Sequence, residues 1–282
     1  MLSKLRSATE ILREDGTRTL LHKSGEYFKR SFREGYLKIR NRYRLSTSGV
    51  TATFDAPDAE TVRTEKWRVS VEKEMLADAV EELKPSDVFY DIGAHIGLYT
   101  CFASQVCSAG TVVAFEPHAP NVRQLEKNIS LNKPERATII NKAVSNQEGE
   151  VAFSQPDKES TESFHSAGSI QTKKEGSLTV DMVVGDSIIE RKGLPQPTVV
   201  KIDTEGAESL VIDGMRNSLT NEDCRVVYCE VHPGKHIALD DGDEVDAVTD
   251  IKHELQKLGF KIESSEERQG QVHLKAVRPP TN

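Results

Sequence analysis

From residue 72 onward the chain switches repeatedly between two hydrophobic patterns. Stretches with apolar residues every three or four positions alternate with short, continuous apolar runs. The first pattern marks one face of a helix, and the second a strand buried on both faces of a parallel sheet. Glu72 to Leu83 reads as a helix stopped by Lys84-Pro85-Ser86, since proline cannot continue it. Strands are predicted at Asp87–Ile92, Thr111–Phe115 and Ala137–Asn141, with helices at Leu98–Val106 and Ala119–Leu131 between them. The alternation resumes with a strand at Thr198–Asp203, a helix at Ala207–Met215 and a strand at Arg225–Val231. A helix at Glu244–Leu258 and strands at Phe260–Glu263 and Gln271–Val277 complete it. The interval 142–197 is rich in Ser, Gly, Glu and Lys. With strand-like pieces at 150–153 and 178–184, it reads as an inserted hairpin region, variable and mobile near 155–177.

The helices between these strands force right-handed crossovers. The expected fold class is therefore α/β: a Rossmann-like, seven-stranded, doubly wound sheet, mostly parallel. A short polar loop joins the last two strands, so the last strand should be antiparallel. No internal repeat is visible. Residues 61–282 read as one domain and residues 1–60 as an N-terminal arm.

Composition changes this picture mainly through charge. The 282 residues are 37% hydrophobic, enough for one large core. A mean hydropathy of -0.50, with no apolar run near the ~20 residues of a bilayer-spanning helix, argues against a membrane-embedded chain. The net charge of -8 hides a split. Residues 1–44 hold 12 Lys and Arg against 5 Asp and Glu, or +7, leaving 25 against 40, or -15, for 45–282. In the arm, Phe28, Phe32 and Tyr36 fall on one helical face. A basic amphipathic helix suits an anionic membrane surface, an acidic protein face or a second copy of the chain. The acidic remainder is a poor partner for nucleic acid, whose phosphates need Lys and Arg. With no apolar leader readable, a cytoplasmic protein is expected, held peripherally at the inner membrane face if the arm binds lipid. Cys101, Cys107, Cys224 and Cys229 form no C-x-x-C pair and read as buried free thiols.

In an open α/β sheet, ligands sit beyond the carboxyl ends of the strands. The first strand ends Asp91-Ile-Gly93-Ala-His95-Ile-Gly97, a D-x-G-x-x-x-G turn rather than the G-x-G-x-x-G of a pyrophosphate loop. A carboxylate here would repel pyrophosphate but suits an ammonium or sulfonium group. The second strand ends in Glu116-Pro117, and a carboxylate there can accept both hydroxyls of a ribose. Each feature alone also fits an ordinary strand exit or a helix-start carboxylate. Together, in register with seven strands, they favour S-adenosylmethionine. An NAD-dependent oxidoreductase on the same sheet and a non-catalytic interaction domain remain the alternatives.

The fourth strand delivers Lys201, Asp203, Glu205 and Glu208 to the same edge, with Lys201 and Asp203 on one face. Asp203 is the first candidate for a base or orienting group on the acceptor side, and Glu205 the second. The competing reading is a Lys201–Asp203 ion pair, with Glu205 starting the next helix. The fifth strand adds Glu230 and His232, so His232 could be a base acting with Asp203. Asp203, Glu230 and His232 could also hold a divalent cation, but no spacing forces a metal site and none is expected. His236 and the run Asp240 to Asp243 lack a full calcium-loop pattern and read as a solvated loop.

The segment Asp87–Asn132, DVFYDIGAHIGLYTCFASQVCSAGTVVAFEPHAPNVRQLEKNISLN, resembles the start of an FkbM-family, class I S-adenosylmethionine-dependent methyltransferase domain. NKAVSNQEGEVAF at 141–153, VVKIDTEGAESLVIDGM at 199–215 and CEVH at 229–232 extend the resemblance across about 70–275. KIDTEGAE is its most specific part; His95 departs from the Asn more usual there. The resemblance implies that Asp91, Gly93, His95 and Gly97 line the methionine end of the cofactor and Glu116 its ribose. It places Asn141 and Ala143 near the adenine. It implies methylation of a hydroxyl or carboxyl on a sugar, glycan or specialised metabolite. No Asn-Pro-Pro-Tyr motif follows the fourth strand, which counts against a nucleobase amine.

Overall fold

The computed structural model describes residues 42–56, 59–132, 135–153, 170–171, 178–235 and 246–280. The expected arm helix around Phe28, Phe32 and Tyr36, most of 155–177, His236 and Asp240 to Asp243 lie outside the described residues.

Arg42–Thr47 (β1) and Val50–Asp55 (β2) form an antiparallel hairpin. Its two-residue turn has positive φ at Ser48 (46°) and Gly49 (77°), the twist that strand pairing favours. These residues fell inside the expected helical arm. Their alternation, Tyr43 and Leu45 then Ala52 and Phe54, is the period of a half-buried strand, and the charge split had masked it. Ala59–Glu82 (α1) follows, longer than the helix expected from Glu72.

Val88–Ile92 (β3), Leu98–Val106 (α2), Thr111–Phe115 (β4), Ala119–Ser130 (α3) and Ala137–Ile140 (β5) then alternate as expected. Ala143–Ser145 (β6), Gly149–Phe153 (β7), Ile170–Gln171 (β8) and Leu178–Val184 (β9) make a separate small sheet in the order β6-β9-β7-β8. The sequence pattern shows β7 and β9 but not β6 or β8, which are only three and two residues long. It also misses the short helix Gly185–Lys192 (α4). Val199–Ile202 (β10), Glu208–Gly214 (α5), Arg216–Thr220 (α6), Val226–Val231 (β11), Ala247–Lys257 (α7), Lys261–Arg268 (β12) and Gln271–Val277 (β13) complete the chain.

The main sheet has seven strands in the order β12-β13-β11-β10-β3-β4-β5. All neighbours from β11 to β5 are parallel. β13 is antiparallel to both β11 and β12, so the antiparallel strand lies inside one edge of the sheet. The fold is the Rossmann-like, seven-stranded, mostly parallel sheet expected from the sequence. β10 and β11 are buried at every position, which explains their unbroken apolar runs.

Successive residues of each central strand feed two different cores. Tyr90, Val113, Val200 and Val227 pack with Ile188, Ile189, Val211, Ile251 and Leu255 of α4, α5 and α7. Phe89, Val112, Val199 and Val226 pack with Leu76 and Val80 of α1, Phe102 of α2, and Tyr43 and Phe54 of the hairpin. The hairpin is therefore part of the second core. Two asparagines of α3 or just after it hold its outer edge. Asn132 Oδ1 accepts from Thr53 N at 2.8 Å, and its Nδ2 donates to Thr53 O at 2.7 Å. Asn128 Oδ1 accepts from Asp55 N while its Nδ2 donates to Ile96 O, each at 2.8 Å. These bonds satisfy strand groups that would otherwise invite another chain. They also tie the hairpin to the loop after β3.

The chain runs outward from β3 through β4 to β5, then returns to build β10 and β11 on the other side. The direction reverses between β3 and β10, and that switch point is where an open α/β sheet leaves a crevice. All four cysteines are buried in the two cores and form no disulfide. Burial pushes the Cys107 and Cys224 thiols up to about 12, so they are unreactive at neutral pH.

Phe54 is 1% exposed and stacks on Tyr43 with ring centroids 5.4 Å apart. Phe54→Ala should cost about 3–5 kcal/mol, read as a lower urea midpoint of the full chain. A loss well below 1 kcal/mol would mean that the hairpin is an appendage of the domain and not part of its core.

Candidate active site

The loop after β3 is shaped by what its backbone must approach. Gly93 has φ 82°, and its N–H and that of Ala94 both donate to Phe115 O at 2.9 Å. A Cβ on Gly93 would lie 1.8 Å from Asp203 O, so no side chain fits between β3 and the residues after β10. Gly97, at φ 90°, opens α2, and a Cβ there would meet Leu125 at 2.4 Å. His95 between them also has positive φ, at 51°.

Two carboxylates flank this loop. Asp91 is 2% exposed, and its Oδ2 accepts from Thr100 N at 2.9 Å and Thr100 Oγ1 at 2.5 Å, at the start of α2. Burial raises its pKa, against the lowering by Thr100 and Lys201. Glu116 is 4% exposed and accepts from His95 N (2.8 Å) at Oε2, and from His118 N (2.9 Å) and Asn121 Nδ2 (3.2 Å) at Oε1. Burial outweighs these donors and raises its pKa to about 7. Asn141 Nδ2 donates to Glu116 O at 2.8 Å and Pro117 O at 2.9 Å, fastening the exit of β5 to that of β4. Ala143 lies in β6 and packs with Val180 and Met182 of the small sheet.

A second group gathers where β10 and β11 end. Lys201 is 1% exposed, with Nζ 3.3 Å from Asp203 Oδ2, 3.7 Å from Glu230 Oε2 and 4.8 Å from the centre of the Tyr99 ring. The ion pair weighed against a catalytic Asp203 is thus present. Burial disfavours the Lys201 ammonium, but Asp203 and Glu230 outweigh it and raise its pKa. Burial first, and the Glu230 charge second, push Asp203 upward. Burial likewise opposes the Glu230 carboxylate, yet His273, Lys201 and His232 hold its pKa down at about 2. His232 is 5% exposed, with Nδ1 3.1 Å from Glu208 Oε1. Its Nε2 lies 3.7–3.8 Å from Asp203 Oδ1, Glu205 Oε2 and Glu230 Oε1. Burial opposes its charge, but the hydrogen bond to Glu208 and the charges of Asp203 and Glu205 raise its pKa to about 9.

The two groups meet at a small crevice lined by Glu72, Asp91, Gly93, His95, Tyr99 and Asp203, among others. A crevice walled by strand-end carboxylates and a glycine turn suits a cationic, ribose-bearing ligand. Residues 91–262 match the model of the methyltransferase FkbM domain. The chain belongs to the FkbM methyltransferase family.

Relatives of this FkbM methyltransferase include the hexuronic acid methyltransferase AglP of Haloferax volcanii. That protein is 30% identical over 70% of this chain and 77% of its own length. The AMB antimetabolite synthetase AmbE of Pseudomonas aeruginosa is 26% identical over 64% of this chain, which spans only 10% of that protein. A solved FkbM methyltransferase from Methylobacillus flagellatus superposes with a TM-score of 0.47 at 16% identity, covering 68% of this chain and 44% of that one. Among the described residues no helix is long and apolar enough to cross a membrane.

Reading the sequence of this FkbM methyltransferase brought Asp203, Glu205 and His232 to one edge, and the structure brings them together there. It overlooked Glu72, Tyr99, Gln271 and His273. Glu72 carried a signal: it falls in helical register with Met75, Leu76 and Ala79, a carboxylate on the buried stripe of α1. Gln271 and His273 carried none, because only the pairing of β13 with β11 sets His273 opposite Glu230.

Replacing Lys201 with Met should leave Asp203 and Glu230 buried without their cation. The expected cost is about 3–5 kcal/mol, measured by urea unfolding. An unchanged midpoint would show that the carboxylates do not depend on Lys201.

Proposed function

We propose that this methyltransferase uses S-adenosylmethionine to methylate an oxygen of a uronic acid or related sugar. Support for the cofactor comes from the loop after β3, where a turn with positive φ at Gly93, His95 and Gly97 runs between the buried carboxylates Asp91 and Glu116. The residues fit the group. Asp91, with Glu72 and Asp203 beside it, gives an environment that favours a sulfonium and an ammonium. Glu116 holds three donors, so one lone pair on Oε2 is open to a ribose hydroxyl and a second hydroxyl would displace Asn121. His95 is positioned at the methionine end by the Glu116 bond to its N–H, with Gly93 and Gly97 on either side. Asn141 and Ala143 are assigned to the adenine side, where Asn141 acts by bracing the β4 exit. When bound, S-adenosylmethionine supplies an electrophilic methyl group.

The chain's own task is then to align an acceptor oxygen and remove its proton. Asp203 is assigned the proton and His232, kept charged near neutral pH by its carboxylate neighbours, the alignment beside it, with Glu205 next to them. Glu208 holds the imidazole through Nδ1 and sets which ring nitrogen faces the acceptor. The observation that carries the sugar reading is the 30% identity to a hexuronic acid methyltransferase over 70% of the chain. The segment before Arg42, with 10 Lys and Arg against 5 Asp and Glu and the aromatic residues Phe28, Phe32 and Tyr36, is assigned to a membrane surface or a second copy.

The acceptor reading is tested by incubating the protein with S-adenosylmethionine and glucuronic or galacturonic acid, free and as glycosides. Mass spectrometry should show one added CH2 on a uronic acid and none on the neutral hexose; methylation of neither would sink the reading. In the same assay Asp203→Asn and His232→Ala should lower kcat far more than they change cofactor affinity.

Glu116 predicts a pH dependence. Its pKa is raised to about 7, so it is mostly protonated at pH 6 and ionised at pH 8. A ribose hydroxyl prefers the ionised form as acceptor. Cofactor affinity by calorimetry should therefore fall below pH 7, by up to about tenfold per unit, and Glu116→Gln should flatten the profile. A profile unaltered by that substitution would remove Glu116 from the cofactor site.

A further inference from the structure

The edge formed by β10 and β11 carries more negative charge than its ammonium answers. Asp203, Glu205, Glu208 and Glu230 surround His232, and Lys201 pairs with only two of them. Glu208, with 0% of its surface exposed, faces His232 Nδ1 at 3.1 Å. In the neutral ring the Nδ1 hydrogen goes to that carboxylate, and the Nε2 lone pair accepts from Gln271 Nε2 at 3.1 Å or is available to a cation. A carboxylate behind one ring nitrogen is how proteins fix a histidine whose other nitrogen binds a metal.

The distances agree with that use. Nε2 is 3.8 Å from Asp203 Oδ1 and 3.7 Å from Glu205 Oε2, too far for hydrogen bonds. Ligand atoms of all three residues lie within 4.8 Å of one another. Around a divalent cation with bonds of about 2.1–2.3 Å, adjacent ligands stand roughly 3–3.7 Å apart. The two His232 distances need a contraction of only a few tenths of an ångström, and the widest separation in the set, up to 4.8 Å, has to close by about 1 Å. Asp203 Oδ1 is buried and has no hydrogen-bond partner, a state that is costly for a carboxylate oxygen with nothing to bind. Glu230, the third ligand considered from the sequence, gives Oε2 to Lys201 and His273, while its Oε1 borders the set at 3.7 Å from His232 Nε2.

We propose that Asp203, Glu205 and His232 form a binding site for a divalent cation, with Glu208 as the positioning residue behind His232. Two carboxylates and one imidazole suit a first-row ion such as Mn2+ better than the all-oxygen preference of Mg2+. Gln271 Nε2 approaches Nε2 to 3.1 Å from β13 and has to turn aside as the cation enters. The inference rests on the methyltransferase reading only for its purpose. A cation beside the acceptor oxygen would lower its pKa and reduce the need for a strong base.

The test is binding of Mn2+ to the full chain after chelator treatment, following free Mn2+ by electron paramagnetic resonance. One Mn2+ per chain is expected, with affinity about tenfold weaker or worse in Glu205→Gln and in His232→Ala, and weakened again in Glu208→Gln. No stoichiometric binding to the wild-type chain overturns the proposal. So does binding that Glu205→Gln leaves unchanged, which would place the ion elsewhere. Circular dichroism melts establish that each variant is folded. Glu205 lies on the loop between β10 and α5 at 16% side-chain exposure, so its variant keeps the test alive if His232→Ala does not fold. Calorimetry of the wild-type chain with S-adenosylmethionine runs in parallel. Cofactor binding without Mn2+ binding overturns the cation site alone, whereas Mn2+ binding without cofactor binding overturns the cofactor reading and leaves the cation site standing.

Discussion

Lys201 puts an ammonium group at the centre of the sheet with 1% of its surface exposed, and the carboxyl edge of the strands is arranged around it. Parallel strands end together, so the residues that terminate β3, β10 and β11 all arrive at one edge. In this chain those residues are acids: Asp91, Asp203 and Glu230. At 3.3 Å and an effective dielectric of ~20, the Lys201–Asp203 attraction is worth about 5 kcal/mol. The desolvation of each ion costs several kcal/mol. The pair is therefore near balance and adds little net stability. Its role is to let several carboxylates share a dry crevice, which no single acid could occupy ionised alone.

The second constraint is closeness. Gly93 brings the turn after β3 against the backbone of Asp203, leaving no room for a Cβ. The two chemical groups of the site, the glycine loop and the acid–histidine cluster, are thus joined at one contact. Asn128 extends the connection outward, bonding both Ile96 in that loop and Asp55 in the hairpin. A hairpin distant in sequence from the glycine loop is in this way part of its support.

Much of the architecture was legible because its signal is local. Buried parallel strands must be apolar throughout and their helices amphipathic, so the succession of β3 to β5, β10, β11 and β13 along the chain can be read from pattern alone. The hairpin was legible too, in its period of two and the Ser48-Gly49 turn, but the basic charge drew the boundary past it. β6 and β8 were not legible, since two or three residues establish no period. The glycine turn, Glu116, Asp203 and His232 were readable as strand-end residues, because position at a strand's carboxyl end is itself a consequence of pattern.

The sequence by itself determined the fold class, the family, and which polar residues reach the ligand edge. All of these follow from local periodicity and from short motifs of adjacent residues. Tertiary structure alone decided how those residues divide their work. Glu208 became the partner of His232, and Glu230 that of Lys201 and His273, while Glu205 joined Asp203. Each assignment depends on angstrom-scale distances between side chains from separate elements. Strand order and register set those distances, and neither is encoded by any one stretch of sequence.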